Sequence, residues 1–246
     1  MDFATIGGVA GLAALIFFGV KNHQLDPSLL NMHAVFVVMG GSFVSMLINT
    51  PFKYIVKAGT ELYDLLFLDE TDDIKRTVPL MVALATQCRS RGLAALKDAD
   101  RKHAGGFLSR VASAALEYND SNFVKHVIEL EINHGADELN EIANVYRTFS
   151  ILSPMFGLLG TLIGIIGVLK QVSDPDAVGP AMGVAITSAF YGILFANMVC
   201  VPIAGKIRSR ILGQIKLQSM ILEGVLEIMK GSIPMVVERR LQSYLQ

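Results

Sequence analysis

No aspartate, glutamate, lysine or arginine occurs in four stretches of the chain: Phe3–Val20, Pro27–Phe52, Thr148–Leu169 and Ala177–Gly205. Their absence excludes a water-solvated surface over these segments, because charged side chains normally cover a soluble helix. Only 17% of the 246 residues are charged and 52% are hydrophobic, far from the balance of a soluble globular domain. The net charge is −1, which leaves no basic surplus for a nucleic acid and no acidic tail. Cysteine is nearly missing. The two present, Cys88 in a charged region and Cys200 in an apolar run, suit free thiols rather than a disulfide or a metal pair. Also absent are a P-loop, a GxGxxG after a strand, an HExxH and a CxxC, so the chain reads as a non-enzyme with no cofactor and no metal site. His103, His126 and His134 lack ligand spacing, and surface positions are expected for all three.

What is there follows from those gaps. Each uncharged stretch approaches or exceeds the ~20 residues that a helix needs to cross hydrocarbon, and lipid leaves helix as the main solution for a single chain segment. An all-α integral membrane protein with four transmembrane helices is expected, with spans at about 3–20, 30–52, 148–169 and 178–205. Met1-Asp2-Phe3 carries no basic n-region, so the first span is expected to be a retained anchor rather than a signal peptide. Short links at Lys21–Asp26 and Lys170–Asp176 make each pair an antiparallel hairpin. The expected organisation is a first hairpin over 1–52, a helical cytoplasmic domain over 53–147, a second hairpin over 148–205 and a helical tail over 206–246.

Orientation is read from basic residues, which stay on the cytoplasmic side. Of 21 lysines and arginines, twelve lie in 53–147, seven follow Gly205 and one sits in each short link. Both termini and the central domain are therefore expected inside. In that domain, Ile55, Val56, Ala58, Leu62, Leu65 and Leu66 recur at helical spacing, and Asp72 or Asp73 is a candidate cap for a helix through Pro79 to Arg91. A further helix is expected to start at Asp120-Ser121, to carry Val124, Ile128, Ile132, Leu139, Ile142, Tyr146 and Phe149 on one face, and to run unbroken into the third span.

The spans hold no carboxylate and no cation, while His33 lies near the outer end of the second span, where an interfacial role is expected. Ion pumps and proton-coupled transporters carry a titratable group at membrane depth. If this chain moves ions, that group must come from a second polypeptide. Gly157, Gly160, Gly164 and Gly167 line one face of the third span, and Ala181, Ala185, Ser188, Ala189, Gly192 and Ala196 do the same in the fourth, which allows close helix approach. Whether that approach is to the chain's own helix or to a partner stays open. Pro154 and Pro202 are expected at matching depth near the inner ends of these spans, each removing a backbone donor and permitting a bend. Thr161 and Ala189 are expected at similar height.

The pattern Pro154-x-x-Gly157-x-x-Gly160-Thr161-Leu162-x-Gly164, followed by Asp176-x-x-x-Gly179-Pro180-Ala181-Met182, Tyr191-Gly192 and Pro202-Ile203-Ala204, resembles the MotA/PomA family of flagellar stator subunits. The resemblance covers essentially the whole chain. It implies a bacterial inner-membrane protein that forms a homo-oligomer, a pentamer, around a MotB/PomB-like single-span partner supplying the ion-binding aspartate. Ion flux then turns the ring and drives the flagellar rotor switch-complex protein. Membrane lipid is the remaining partner, and no nucleic acid is implied. Residues expected along the ion pathway or facing the partner are Pro154, Gly157, Gly160, Thr161, Gly164, Ala189, Tyr191 and Pro202. Arg89, Arg91, Lys97 and Asp98 are the expected rotor contacts, although the family usually has Glu where Lys97 stands. On an α-helix a one-residue displacement to Asp98 turns the side chain by about 100°. Sodium-driven members carry threonine at the place of Ala189, so alanine there favours protons. TolQ/ExbB-like or gliding-type energisers share the last two spans and remain the alternative.

Overall fold

In the computed structural model, residues 31–67 and 71–245 are described together with isolated positions within 7–18, while side chains at 63–67, 71–73 and 175–177 are left out. The expected first span and its link to Asp26 fall outside the continuous part. Helices among the described residues are α1 Met32–Asn49, α2 Phe52–Phe67, α3 Thr71–Arg91, α4 Phe107–Tyr118, α5 Ser121–Lys170, α6 Pro175–Phe195, α7 Val201–Met229 and α8 Pro234–Gln242. No strand occurs among them, as the lack of period-two alternation implies. The chain divides into two compact units, Met1–Leu68 with Glu141–Arg208, and Asp69–Asn140 with Ser209–Gln246.

The first unit turns its apolar side chains outward. Phe36, Ile48, Met155, Leu158, Leu169, Ile186 and Ile193 are all more than half exposed, whereas Ser42, Ser153, Thr187 and Ser188 are buried. That distribution suits a hydrocarbon solvent. Among the described residues, three helices, Met32–Asn49, Ser121–Lys170 and Val178–Met229, are long and apolar enough to cross a membrane. Asn31 starts α1, its Oδ1 accepting from the N–H groups of His33 and Ala34 at 3.0 and 3.2 Å. Thr50 ends it in extended conformation, one residue before Pro51, a residue whose predecessor disfavours the α region. Two π-helical turns interrupt the apolar helices, at Phe36–Gly40 and Ala196–Cys200. The second leads into Pro202, and Val201 N–H reaches back to the Ala196 carbonyl. A widened turn is one way to accommodate a proline ring that clashes with the carbonyl four residues earlier.

The second unit is built the opposite way. Phe107, Leu108 and Val111 of α4, Met81 of α3, Val124 of α5, Met220, Ile221 and Val225 of α7, and Val237 and Leu241 of α8 are wholly buried in one core. Asn119, at φ 49°, closes α4, and the next residue, Asp120, caps α5 by accepting from Asn122 N–H at 2.8 Å. α5 then continues as one helix of 50 residues, with Val124, Ile128, Ile132 and Ile142 of the expected face buried. α3 begins at Thr71 rather than after Asp72 or Asp73, which therefore lie in its first turn. One histidine departs from expectation. His103 is buried and its Nε2 lies 2.8 Å from Thr77 Oγ1, while His126 and His134 are exposed. The burial comes from the turn that follows, where Ala104, Gly105 and Gly106 all take positive φ and fold the chain back.

α7 and α8 are joined through Gly231, at φ 77°, and the joint is locked by Glu227. Its buried carboxylate accepts from Ser232 Oγ at 2.6 Å and Lys230 Nζ at 3.0 Å, with Arg240 Nε 3.9 Å away. The Ser232 hydroxyl foremost, then Lys230 and Arg240, hold this carboxyl below its ordinary 4.5 against the opposing effect of burial. A carboxylate favoured by the fold contributes stability that is complete above the unfolded value and is lost as the pH falls through the lowered one. Glu227→Gln is expected to weaken the α7–α8 joint by about 1–3 kcal/mol at neutral pH. Amide hydrogen exchange over residues 223–241 would rise at pH 7 in the variant, and the difference from wild type would shrink in acid.

Candidate ion pathway

In the first unit, the antiparallel register of α5 and α6 follows from the glycines. A Cβ built on Gly157 would stand 2.9 Å from the Ser188 carbonyl oxygen and 3.3 Å from Ala189 Cα. One on Gly164 would stand 2.7 Å from Ala185 N, and one on Gly192 would meet Pro154 Cα at 3.1 Å. At Gly160 the obstacle is the Ser188 side chain. Backbone thus lies against backbone along the seam. The question left open by glycine spacing is answered for Gly157, Gly160 and Gly164: their bare faces meet the chain's own α6. Space on that face is filled from within the subunit, so these three glycines set the spacing of the helix pair.

α1 joins the same seam. A Cβ on Gly41 would collide with the Phe156 ring, and Val37 Cγ1 would lie 3.7 Å from a Cβ on Gly160. Sequence reasoning passes over Gly41 and Phe156; the adjacent glycines 40 and 41 are the signal that could have found this contact. Phe149 and Phe195 meet edge to face with ring centroids 6.1 Å apart, and Tyr146 donates its hydroxyl to the Ala58 carbonyl at 2.7 Å, tying α5 to α2.

The other expected residues are placed as follows. Gly160 opposes Ser188, so Thr161 and Ala189 fall within a turn of each other. Thr161 is half-buried, and its hydroxyl donates to the Leu158 carbonyl of its own helix. Ala189 and Tyr191 are half-buried, the latter ring 5.8 Å from that of Phe190. Pro154 and Pro202 are not at matching depth. Pro154 faces Gly192, and Pro202 lies ten residues further along, about 15 Å at 1.5 Å per residue. The equal-depth expectation placed each proline near the inner end of its uncharged stretch; the actual register is set by the glycine contacts.

In the second unit, Arg89 and Arg91 occupy the last turn of α3, and Gly92, at φ 74°, redirects the chain into a 3-10 turn over Leu93–Asp98. Ala95 and Leu96 anchor that turn in the core, leaving Arg89, Arg91, Lys97 and Asp98 exposed. Since a 3-10 helix has three residues per turn, displacement from Lys97 to Asp98 rotates the side chain by about 120°, more than the α-helical value.

An all-helical membrane protein with apolar outer faces and a seam of small residues is the class that this geometry defines. The model of the MotA/TolQ/ExbB proton channel family matches residues 103–220. Motility protein A of Treponema pallidum is 28% identical across 100% of this chain and 94% of its own. Chemotaxis protein PomA of Vibrio alginolyticus is 27% identical across 100% and 96%. Among solved structures, the flagellar MotAB stator complex from Bacillus subtilis superposes with a TM-score of 0.87 at 24% identity, covering 98% of this chain and 95% of that one. The chain is thus similar to the MotA/TolQ/ExbB proton channel family over residues 103–220 and to MotA/PomA proteins along its whole length.

The seam gives a graded test. Gly164→Ala sets a methyl against Ala185 backbone and is expected to cost about 1–3 kcal/mol or more. Gly167→Ala, whose methyl would find Ala181 Cβ at an ordinary 3.4 Å, is expected to leave stability unchanged. Melting temperatures in detergent check the contrast; equal melting of the two variants contradicts the register.

Proposed function

We propose that this chain is a stator subunit of the bacterial flagellar motor, forming an ion channel with a MotB-like single-span subunit whose aspartate binds the travelling ion. The observation that carries the reading is the lack of any carboxylate or cation in the uncharged stretches, combined with similarity to motility proteins along the full chain. A channel of this family whose own spans offer no titratable group at depth needs one from elsewhere.

The finer reading is as follows. The chain crosses the inner membrane four times, with 53–147 and 206–246 in the cytoplasm together with both termini, in accord with the basic residues. Five copies surround the partner helices, and lipid covers the exposed leucines, isoleucines and phenylalanines of the first unit. Pro154, Thr161, Ala189, Tyr191 and Pro202 lie along the route to the partner, supported by Gly157, Gly160 and Gly164. Protons are the ion. Ala189 has no side-chain oxygen to offer a cation at its position on the fourth span. A dehydrated sodium ion needs several oxygen ligands, whereas a proton needs only a hydrogen-bonded relay.

Arg89, Arg91, Lys97 and Asp98 form the rotor contact. An exposed ion pair is worth at most ~1 kcal/mol, so several must act together. Arg89→Glu is expected to reduce swimming, with partial recovery when the facing charge on the rotor protein is reversed; undiminished swimming removes Arg89 from this surface. For the channel, liposomes carrying the chain alone are expected to show no gradient-driven proton uptake, and those carrying the chain with its partner to show uptake. Uptake by the chain alone contradicts the borrowed carboxylate.

A further inference from the structure

Most hydroxyls of the apolar helices are spent on the backbone of their own helix. Ser42, Thr187 and Ser188 donate to carbonyls four residues back, and Ser150 and Thr161 to carbonyls three residues back. In lipid such back-bonding is the usual way to satisfy a hydroxyl. Ser153 is wholly buried, yet its Oγ has no hydrogen-bond partner, alone among buried side-chain hydroxyls of the described residues.

Its surroundings explain why this matters. Three residues back stands the Ser150 carbonyl, whose α-helical donor would be the N–H of residue 154, and residue 154 is proline. An unspent donor and a carbonyl deprived of its donor therefore sit on one turn of α5. Across the seam, α6 presents Gly192 to this turn. Gly192 lies with its Cα against Ser153, where a Cβ would come 2.5 Å from the Ser153 carbonyl oxygen. A buried hydroxyl left unpaired is unfavourable, and rotation onto Ser150 in the manner of Thr161 onto Leu158 would give it a partner.

We infer that Ser153 is a further proton-handling residue of this channel, a hydroxyl at the inner part of the third span that alternates between the Ser150 carbonyl and water on the ion route. The inference rests on the proposed channel function. When turned to water, Oγ accepts a proton from a hydrated proton on one side and releases its own hydrogen to a water on the other. One O–H bond forms as one breaks, and Ser153 ends neutral. When turned to Ser150, the hydroxyl is withdrawn from the route, and Pro154 serves by keeping that carbonyl available.

The test uses the full chain co-purified with its single-span partner in liposomes, with proton uptake read by an entrapped pH dye and complex stability by melting. Ser153→Ala is expected to lower uptake about a hundredfold or more, the range of effects typical for a proton-transferring group, with melting unchanged or raised. Ser153→Cys, similar in size and still a donor, is expected to recover part of the uptake. Full uptake by Ser153→Ala overturns the inference while leaving the channel reading intact, as does loss of uptake accompanied by lower melting or loss of the partner. A wild-type complex without uptake overturns the channel reading and the inference with it. A density map of the complex reads the site directly: solvent within hydrogen-bonding distance of Ser153 Oγ supports the relay, and a hydroxyl that is dry in every state removes it.

Discussion

The approach of α5 to α6, backbone against backbone at Gly157, Gly164 and Gly192, is the contact on which the rest of the first unit depends. Lipid tails are as apolar as leucine, so no hydrophobic gain draws two helices together in a bilayer. Dispersion contacts and close packing remain, and small residues maximise them. Once the seam is occupied by glycine, alanine and serine, the large residues of the same helices have only outward positions. Exposed Met155, Leu158, Leu162 and Ile186 are a consequence of the seam as much as of hydropathy. Such a helix pair has an apolar exterior and a seam too narrow for a carboxylate, in accord with the proposal that the ion-binding group comes from a partner.

The second unit rests on different physics. Its core holds Phe107, Leu108, Met81, Met220 and Leu241 at or near zero exposure, and burial of each such side chain from water contributes about 1.5–3 kcal/mol. Gly224 permits α7 to approach Met81 and Leu241, since a Cβ there would meet Met81 Cε at 2.6 Å. The same rigid core fixes the 3-10 turn through Ala95 and Leu96. The charged tip from Arg89 to Asp98 is thus held by buried neighbours on both sides of Gly92, Cys88 before it and Ala95 and Leu96 after it.

Legibility in the sequence tracked the strength of each signal. Uncharged length marked the apolar helices, and the Asp120 cap with its following period marked α5, because both signals are local and repeat many times. Hydroxyls, glycines and prolines were visible as residue types but not as contacts. The direction in which Gly157 and Gly160 face depends on which helix fills the groove, and period alone contains no partner. His103 was misread as exposed because its burial is caused by three successive positive φ values, of which Ala104 gives no hint in its side chain. The π turn before Pro202 was equally hidden, although a proline within an apolar helix requires some relief of its clash with the preceding turn.

The offset of the two prolines changes what they can do. Had Pro154 and Pro202 shared one depth, a single hinge plane across the helix pair would follow. About 15 Å of separation along the axis places Pro154 within the glycine seam and Pro202 beyond the π turn, where its side chain is exposed. A bend at Pro154 must disturb contacts with Gly192 and Ser188, so it is coupled to the packing of the helix pair. A bend at Pro202 moves the start of α7 and leaves the seam intact.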